Sequence, residues 1–231
     1  SLTGQFDTLK IGNNSFYNSE LDLNSSKFTN SPEVLASAII NSEQQKLVGI
    51  APTEKMAIEA AWEKDHIDFR SNLRQRNTPN RAALNGELRF AGDYLYLQFK
   101  KSKLRLLNDD WNLDANNLIT IMGPEVTLSN VILKPKDKDQ LLSLNGDISN
   151  DSLRVLAFET HNFELSTLNP VLNVNLAGTA NGSVTMRDLY RTLILDSRVN
   201  VQKLTYNNFL MGNLIGTGEW DPIDKHLHVD I

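Results

Sequence analysis

The chain has no cysteine in its 231 residues. That excludes a disulfide framework and any thiolate metal site, and it leaves the cellular compartment open. Aromatic residues make up only 7% and have no basic patch beside them, so stacking platforms for nucleic acid are excluded. Neither charge dominates: 23 basic and 28 acidic residues are scattered along the sequence for a net charge of -5. No electrostatic footprint for nucleic acid or for an anionic membrane surface results. Apolar runs never exceed a handful of residues, so no transmembrane helix fits in this stretch. An initiator methionine and a signal peptide are also missing, and the chain opens and closes inside strand-like patterns. It is expected to be a piece of a longer protein.

What is present is alternation. The stretch from Leu172 to Asp221 sets the pattern: an alternating segment runs into Gly178, a polar turn and Gly182 follow, and further alternating segments lead to Gly216 and Gly218. Period two recurs at Leu21 and Leu23, through Leu95, Leu97 and Phe99, and at Ile119–Ile121, Val126–Leu128 and Val131–Leu133. It continues at Leu153–Val155, at Val199–Val201 and at Leu227–Ile231. Such segments are half-buried strands with one apolar face and one wet face. Turn chemistry separates them at Ala91-Gly92-Asp93, Asn108-Asp109-Asp110, Ser149-Asn150-Asp151, Asn207-Asn208 and Asp221-Pro222-Ile223-Asp224. At about 13 residues per strand and turn, the length accommodates some 17 strands.

One helix is expected near 32–45. Ser31 can cap it, Pro32 suits its first turn, and Val34, Leu35, Ala38 and Ile39 share a face out to about Gln45. Residues 53–63 have helix-forming composition, yet Met56, Ile58, Ala60 and Trp62 alternate, and Ile67, Phe69, Ser71 and Leu73 continue the period. A strand is therefore expected there. An internal echo links Leu84-Asn85-Gly86 to Leu144-Asn145-Gly146, and a looser Leu-x-Gly form recurs at Leu176–Gly178 and Leu214–Gly216. One sheet motif laid down repeatedly is implied, without a strict solenoid code. No strand is followed by a regular crossover helix, so the expected class is all-β and mainly antiparallel.

Catalytic chemistry has little to stand on. There is no Gly-x-Ser-x-Gly elbow, and of His66, His161, His226 and His228 only the last two are neighbours, on one strand face. Asp109-Asp110 and Asp137-Lys-Asp139 lie in polar, turn-like stretches and read as solvated loops rather than a glycosidase pair. Gly212, Gly216 and Gly218 lead into Glu219-Trp220-Asp221-Pro222, not into the helix that a dinucleotide-binding loop requires. The glycines, Gly178 and Gly182 included, are read as places where strands turn or bulge. A non-enzymatic protein without metal or cofactor is expected, with the apolar face as its working surface. In a closed barrel or sandwich that face would be ordinary core, whereas in a rolled, open sheet it would line a groove.

Several segments together resemble the C-terminal region of the TamB family, the translocation and assembly module proteins of Gram-negative envelopes. They are Leu144–Ile148, Leu168-Asn-Pro170, Leu176–Val184, Val199–Tyr206 and Met211–Asp221. Residues 62–119 fit the same pattern more loosely. The resemblance implies an elongated, curved sheet forming a U-shaped hydrophobic groove, the β-taco of the AsmA-like superfamily, running as one domain over residues 1–231. It implies a periplasmic location, with the full-length protein held in the inner membrane by an N-terminal helix. The expected cargo is phospholipid acyl chains, moved between the inner and outer membranes in support of outer-membrane biogenesis. The expected partner is an outer-membrane barrel of the TamA or BamA type. No catalytic residues come with the family. Leu172, Val174, Leu176, Val184, Met186, Val199, Val201, Leu227, Val229 and Ile231 are the expected groove lining. The alternative is a strand-accepting chaperone module for nascent outer-membrane proteins or for autotransporter secretion. A third class, an enzyme or carbohydrate binder on an elongated β-solenoid, would need carboxylates or aromatics clustered on an exposed face.

Overall fold

A computed structural model of the chain describes residues 1–27, 34–47, 51–106, 109–169, 174–221 and 226–231. The fold is all-β and antiparallel: seventeen strands and one four-residue 3₁₀ turn occur among the described residues. The chain divides into two compact units, Ser1–Asp110 and Trp111–Ile231.

In the first unit, β1 (Leu2–Ile11), β2 (Asn14–Lys27), β3 (Val34–Lys46), β4 (Thr53–Glu63), β5 (His66–Gln75) and β6 (Arg81–Ala91) form a meander. Each is paired antiparallel with the next. β7 (Tyr94–Phe99) and β8 (Ser102–Leu106) then share the free side of β6, pairing with its second and first halves respectively. Two-residue turns such as Gly12-Asn13 and Gly92-Asp93 join neighbours, as residues tolerant of positive φ allow.

The helix expected near 32–45 is a strand. Residues 31–33 lie outside the description, but from Val34 onward β3 is registered with β2 as far as Lys46 and with β4 from Leu35 to Gln45. A three-turn helix is marginal by itself, whereas ladders with β2 and β4 pair the backbone of this segment on both sides. The stripe that suggested a helix is split: Ala38 points to the half-buried face, while Leu35 and Ile39 are exposed on the other. Alternation at Met56, Ile58, Ala60 and Trp62 does mark a strand, β4.

The second unit contains β9 (Asp109–Leu113), β10 (Leu118–Met122), β11 (Glu125–Pro135), β12 (Leu141–Ile148) and β13 (Leu156–Glu164). The turn Leu165–Leu168 follows, and then β14 (Leu176–Arg187), β15 (Ile194–Tyr206), β16 (Phe209–Asp221) and β17 (His226–Asp230). β10 and β9 share one side of β11, and from β11 the meander runs unbroken to β17.

Two local expectations change, and a third lies largely outside the described residues. Asp109 and Asp110 begin a strand rather than a turn, and Asp110 faces Arg105 at 3.6 Å. Leu153 and Val155 lie in the loop before β13, where two Asp151 groups hold the chain: its carbonyl accepts from the Arg154 N–H and its carboxylate from the Leu153 N–H. The turn at 221–224 falls outside the described residues, apart from Asp221 at the end of β16.

A recurring irregularity accounts for the Asn-Gly echo. β11, β13 and β15 each carry a residue at positive φ where the register slips: Asn130 (54°), Asn162 (48°) and Lys203 (53°). A bulge turns one N–H out of the ladder, and each of these is taken by an asparagine on the following strand. Asn145 Oδ1 accepts from Asn130 at 2.6 Å, Asn181 Oδ1 from Asn162 at 2.9 Å, and Asn213 Oδ1 from Lys203 at 3.0 Å. In the first unit Asn85 acts similarly at the break between β7 and β8, donating to the Lys101 carbonyl at 2.7 Å. The glycine after the asparagine clears the apolar face: a Cβ on Gly86 would lie 2.5 Å from the Phe69 ring, and one on Gly182 2.6 Å from the Arg198 carbonyl.

Candidate functional site

Cross-strand partners in an antiparallel ladder project to the same face, so the register assembles the candidate surface directly. In the second unit one row runs Val131, Leu144, Phe158, Val184, Ser197, Gly218, Val229 across seven strands. A second runs Leu142, Thr160, Gly182, Val199, Gly216. A third links Leu128, Gly146, Leu156, Met186, Leu195 and Trp220, and a fourth Phe163, Ala180, Val201 and Leu214. None of these positions carries a charge.

Of the residues expected to line a groove, Val184, Met186, Val199, Val201 and Val229 therefore fall on one face. Leu227 is placed there by its backbone pairing with Trp220. Leu176 begins β14 opposite Tyr206, beyond the slip at Gly178. Val174 precedes the strand in a bend, Ile231 follows β17 and is exposed, and Leu172 lies outside the described residues.

Burial is graded along this face. Val201 is 6% exposed, packed in the row that contains Phe163 and Ala180, whereas Val199, two residues away, is 38% exposed and Val229 more so. The difference follows from neighbours: Val199 stands between Gly182 and Gly216, and the place beside Val229 is Gly218. Gly216 and Gly218 correct the reading of these glycines as turns, because both sit buried within an unbroken ladder, and the furrow of this face is the strip beside them on which Val199 and Val229 stay exposed. Gly178, at φ 123° and a register slip, is a genuine bend.

The first unit repeats the arrangement with residues that the sequence reading left out of the lining. The row Leu2, Leu23, Ala38, Ala60, Phe69, Gly86, Phe99 crosses seven strands. Small side chains at Ala38 and Ala60 leave room there, whereas the Phe69 ring covers Gly86. An open pocket of about 530 Å³ forms over Leu2, Leu23, Ala38, Ala60, Trp62 and Ile67. The signal that could have found it is the alternation at 56–62 and 67–73, together with the small size of every second residue.

The opposite face is polar, and one cluster of its charges is paired. Lys100 Nζ reaches Asp68 at 2.5 Å and Glu87 at 3.3 Å, and Arg89 reaches Glu87 at 2.7 Å. The Lys100 ammonium donating to Asp68 holds that carboxyl below its ordinary range, and Arg89 followed by Lys100 does the same for Glu87. Lys100 is correspondingly raised, chiefly by Asp68. A hollow of about 860 Å³ lies on this side, lined by Glu59, Asp68, Arg70, Lys100 and Lys101 among others, with the Lys100–Asp68 ion pair in its wall.

His226 and His228 are exposed, opposite Asp221 and Glu219 in the ladder. Among the described residues no three His, Asp or Glu side chains gather as metal ligands, and no helix is long and apolar enough to cross a membrane. What the site offers chemically is an uncharged, incompletely filled apolar surface. Comparison of the chain with protein-family profiles, with characterised proteins and with solved structures finds no match.

Proposed function

We propose that the apolar face is a trough for phospholipid acyl chains, in a non-enzymatic, periplasmic segment of a TamB-like protein that serves lipid traffic between membranes. The observation that carries this reading is the furrow of the second unit, where Val199 lies between Gly182 and Gly216 on a face without charge. A core built for stability would cover Val199, which is instead 38% exposed, since interiors are close-packed.

The energetics favour such a surface. Exposing an acyl chain to water costs about 0.8 kcal/mol per methylene, so a 16-carbon chain costs roughly 12 kcal/mol. A continuous apolar strip removes most of that barrier, while head groups stay in water at its margin and need no dedicated polar pocket. An outer-membrane barrel of the TamA or BamA type is the partner this reading entails.

Val199 is the informative position, because Val201 is buried and a charge there would unfold the strand locally rather than test the furrow. A photoreactive residue at Val184, Val199 or Val229 is expected to crosslink to phospholipid, and one at the neighbouring, outward Arg198 is not. Val199→Glu is expected to abolish the lipid adduct at Val229 with unchanged circular dichroism. Equal crosslinking from Val199 and Arg198 would sink the proposal.

A further inference from the structure

One uncharged stretch of the second unit surrounds a hairpin rather than the furrow. From Leu204 to Gly218 no residue carries a charge. At the turn between β15 and β16 the apolar side chains are displayed rather than packed: Phe209 is 72% exposed, Leu210 64% and Met211 59%, and Tyr206 is exposed beside them. Other hairpins of the chain are built differently. The turns after β1, β4, β6 and β10 have Lys10, Lys64 with Asp65, Asp93 and Glu125 at or next to their tips.

Two features identify the surroundings this tip fits. First, the apolar residues occupy both faces: Phe209 pairs with Tyr206, whereas Leu210, the next residue, pairs with Thr205 and so points the other way. A protein groove would cover one face; a bilayer interface surrounds both. Second, three polar groups of the turn are bonded within the protein. The Asn207 N–H donates to the Asn175 carbonyl at 2.8 Å, and Asn207 Oδ1 accepts from the Asn175 N–H at 3.3 Å. Asn208 Oδ1 accepts from Asn175 Nδ2 at 2.9 Å. Polar groups bonded in this way lose little on leaving water, and unbonded ones lose much.

We infer that the β15–β16 hairpin tip inserts into the interfacial region of a phospholipid bilayer, with Tyr206, Phe209, Leu210 and Met211 as its anchor. The nearest charge is Lys203, three residues from Tyr206, or about 10 Å along the strand. That spacing matches the roughly 5–10 Å depth of interfacial segments and leaves the ammonium at the level of the head groups. The insertion is independent of the acyl-chain trough, since none of the four anchors belongs to the furrow.

The test uses the full chain and phosphatidylcholine vesicles. Because the protein has no native cysteine, Leu210→Cys accepts a single environment-sensitive fluorophore. The fluorophore is expected to shift to the blue on adding vesicles and to be quenched by lipid-borne quenchers, equally at low and high salt. Phe209→Ser combined with Leu210→Ser is expected to reduce vesicle flotation at least about tenfold. Ile11→Ser, at an exposed position on another hairpin, should leave flotation unchanged. A fluorophore that stays in water on vesicles, or a double variant that floats as well as the parent, overturns the inference. So does a blue shift that needs no vesicles and tracks protein concentration, which would assign the tip to self-association. Val199→Glu keeps the tip intact and should float normally, so failure of the trough and failure of the anchor are told apart.

Discussion

The two units are built from the same ladder and treat their apolar faces differently. Among the described residues the first unit buries a single apolar side chain, Met56, while the second buries Trp111, Leu128, Leu156, Phe163, Ala180 and Val201. Both units also bury polar residues, among them Ser19, Ser42, Gln45 and Thr53 in the first and Asn117, Gln140, Ser143 and Ser149 in the second. Backbone irregularity parallels the contrast. Register slips interrupt one described ladder of the first unit, β4 with β5, but four of the second. A bulge bends its strand and increases the local twist, so a sheet with more of them curls more tightly over its own side chains. The comparison teaches that the same alternating sequence yields an open apolar surface or a partly closed one according to where single residues are inserted.

The sharpest way to break this comparison is to remove one tryptophan from each unit. Trp111 is 2% exposed and stacked against Phe163 at 6.4 Å, so Trp111→Ala is expected to destabilise by about 3–5 kcal/mol in urea unfolding. Trp62 is 45% exposed and tilted against Phe90 at 6.3 Å, so Trp62→Ala should lose only about 1 kcal/mol. Equal losses would mean that the first unit is packed as tightly as the second.

Next in size is the asparagine that ties each bulge. Asn181→Ala leaves the partly buried Asn162 N–H without its acceptor and is expected to lose about 1 kcal/mol. Amide exchange at Asn162 should accelerate more than exchange in the middle of β15. If exchange there does not change, the asparagines do not hold the bulges.

The smallest effect is expected on the polar face of the first unit. Asp68 and Glu87 titrate below their ordinary values, so their contribution is complete above about pH 4 and is lost as pH falls through the lowered folded-state values. Lys100 is raised, so its contribution is present below its ordinary range and is lost as pH rises past the raised value. These groups are substantially exposed, and an exposed pair contributes only about 0.2–1 kcal/mol. Lys100→Ala should therefore lower the urea midpoint slightly at neutral pH and flatten its decline in acid. An unchanged acid profile would show the cluster to be energetically idle.

Alternation was legible because it is the direct imprint of a two-residue period on a half-buried strand. That imprint determined the all-β class, the antiparallel meander, most strand positions and the sharing of one face by Val184, Met186, Val199, Val201 and Val229. The helix reading of 32–45 failed because a stripe of four apolar residues fits either period, and only pairing with β2 and β4 chooses between them. The Asn-Gly echo was visible as a repeat, but its meaning was not, since the bulge that each asparagine serves lies on a different strand. Likewise the sequence could mark Val199 and Val201 as equivalent neighbours on one face. Only the tertiary structure decided that one is buried and the other stands in a furrow, because exposure depends on which residues the register brings alongside: Gly182 and Gly216 in one row, Ala180 and Leu214 in the other.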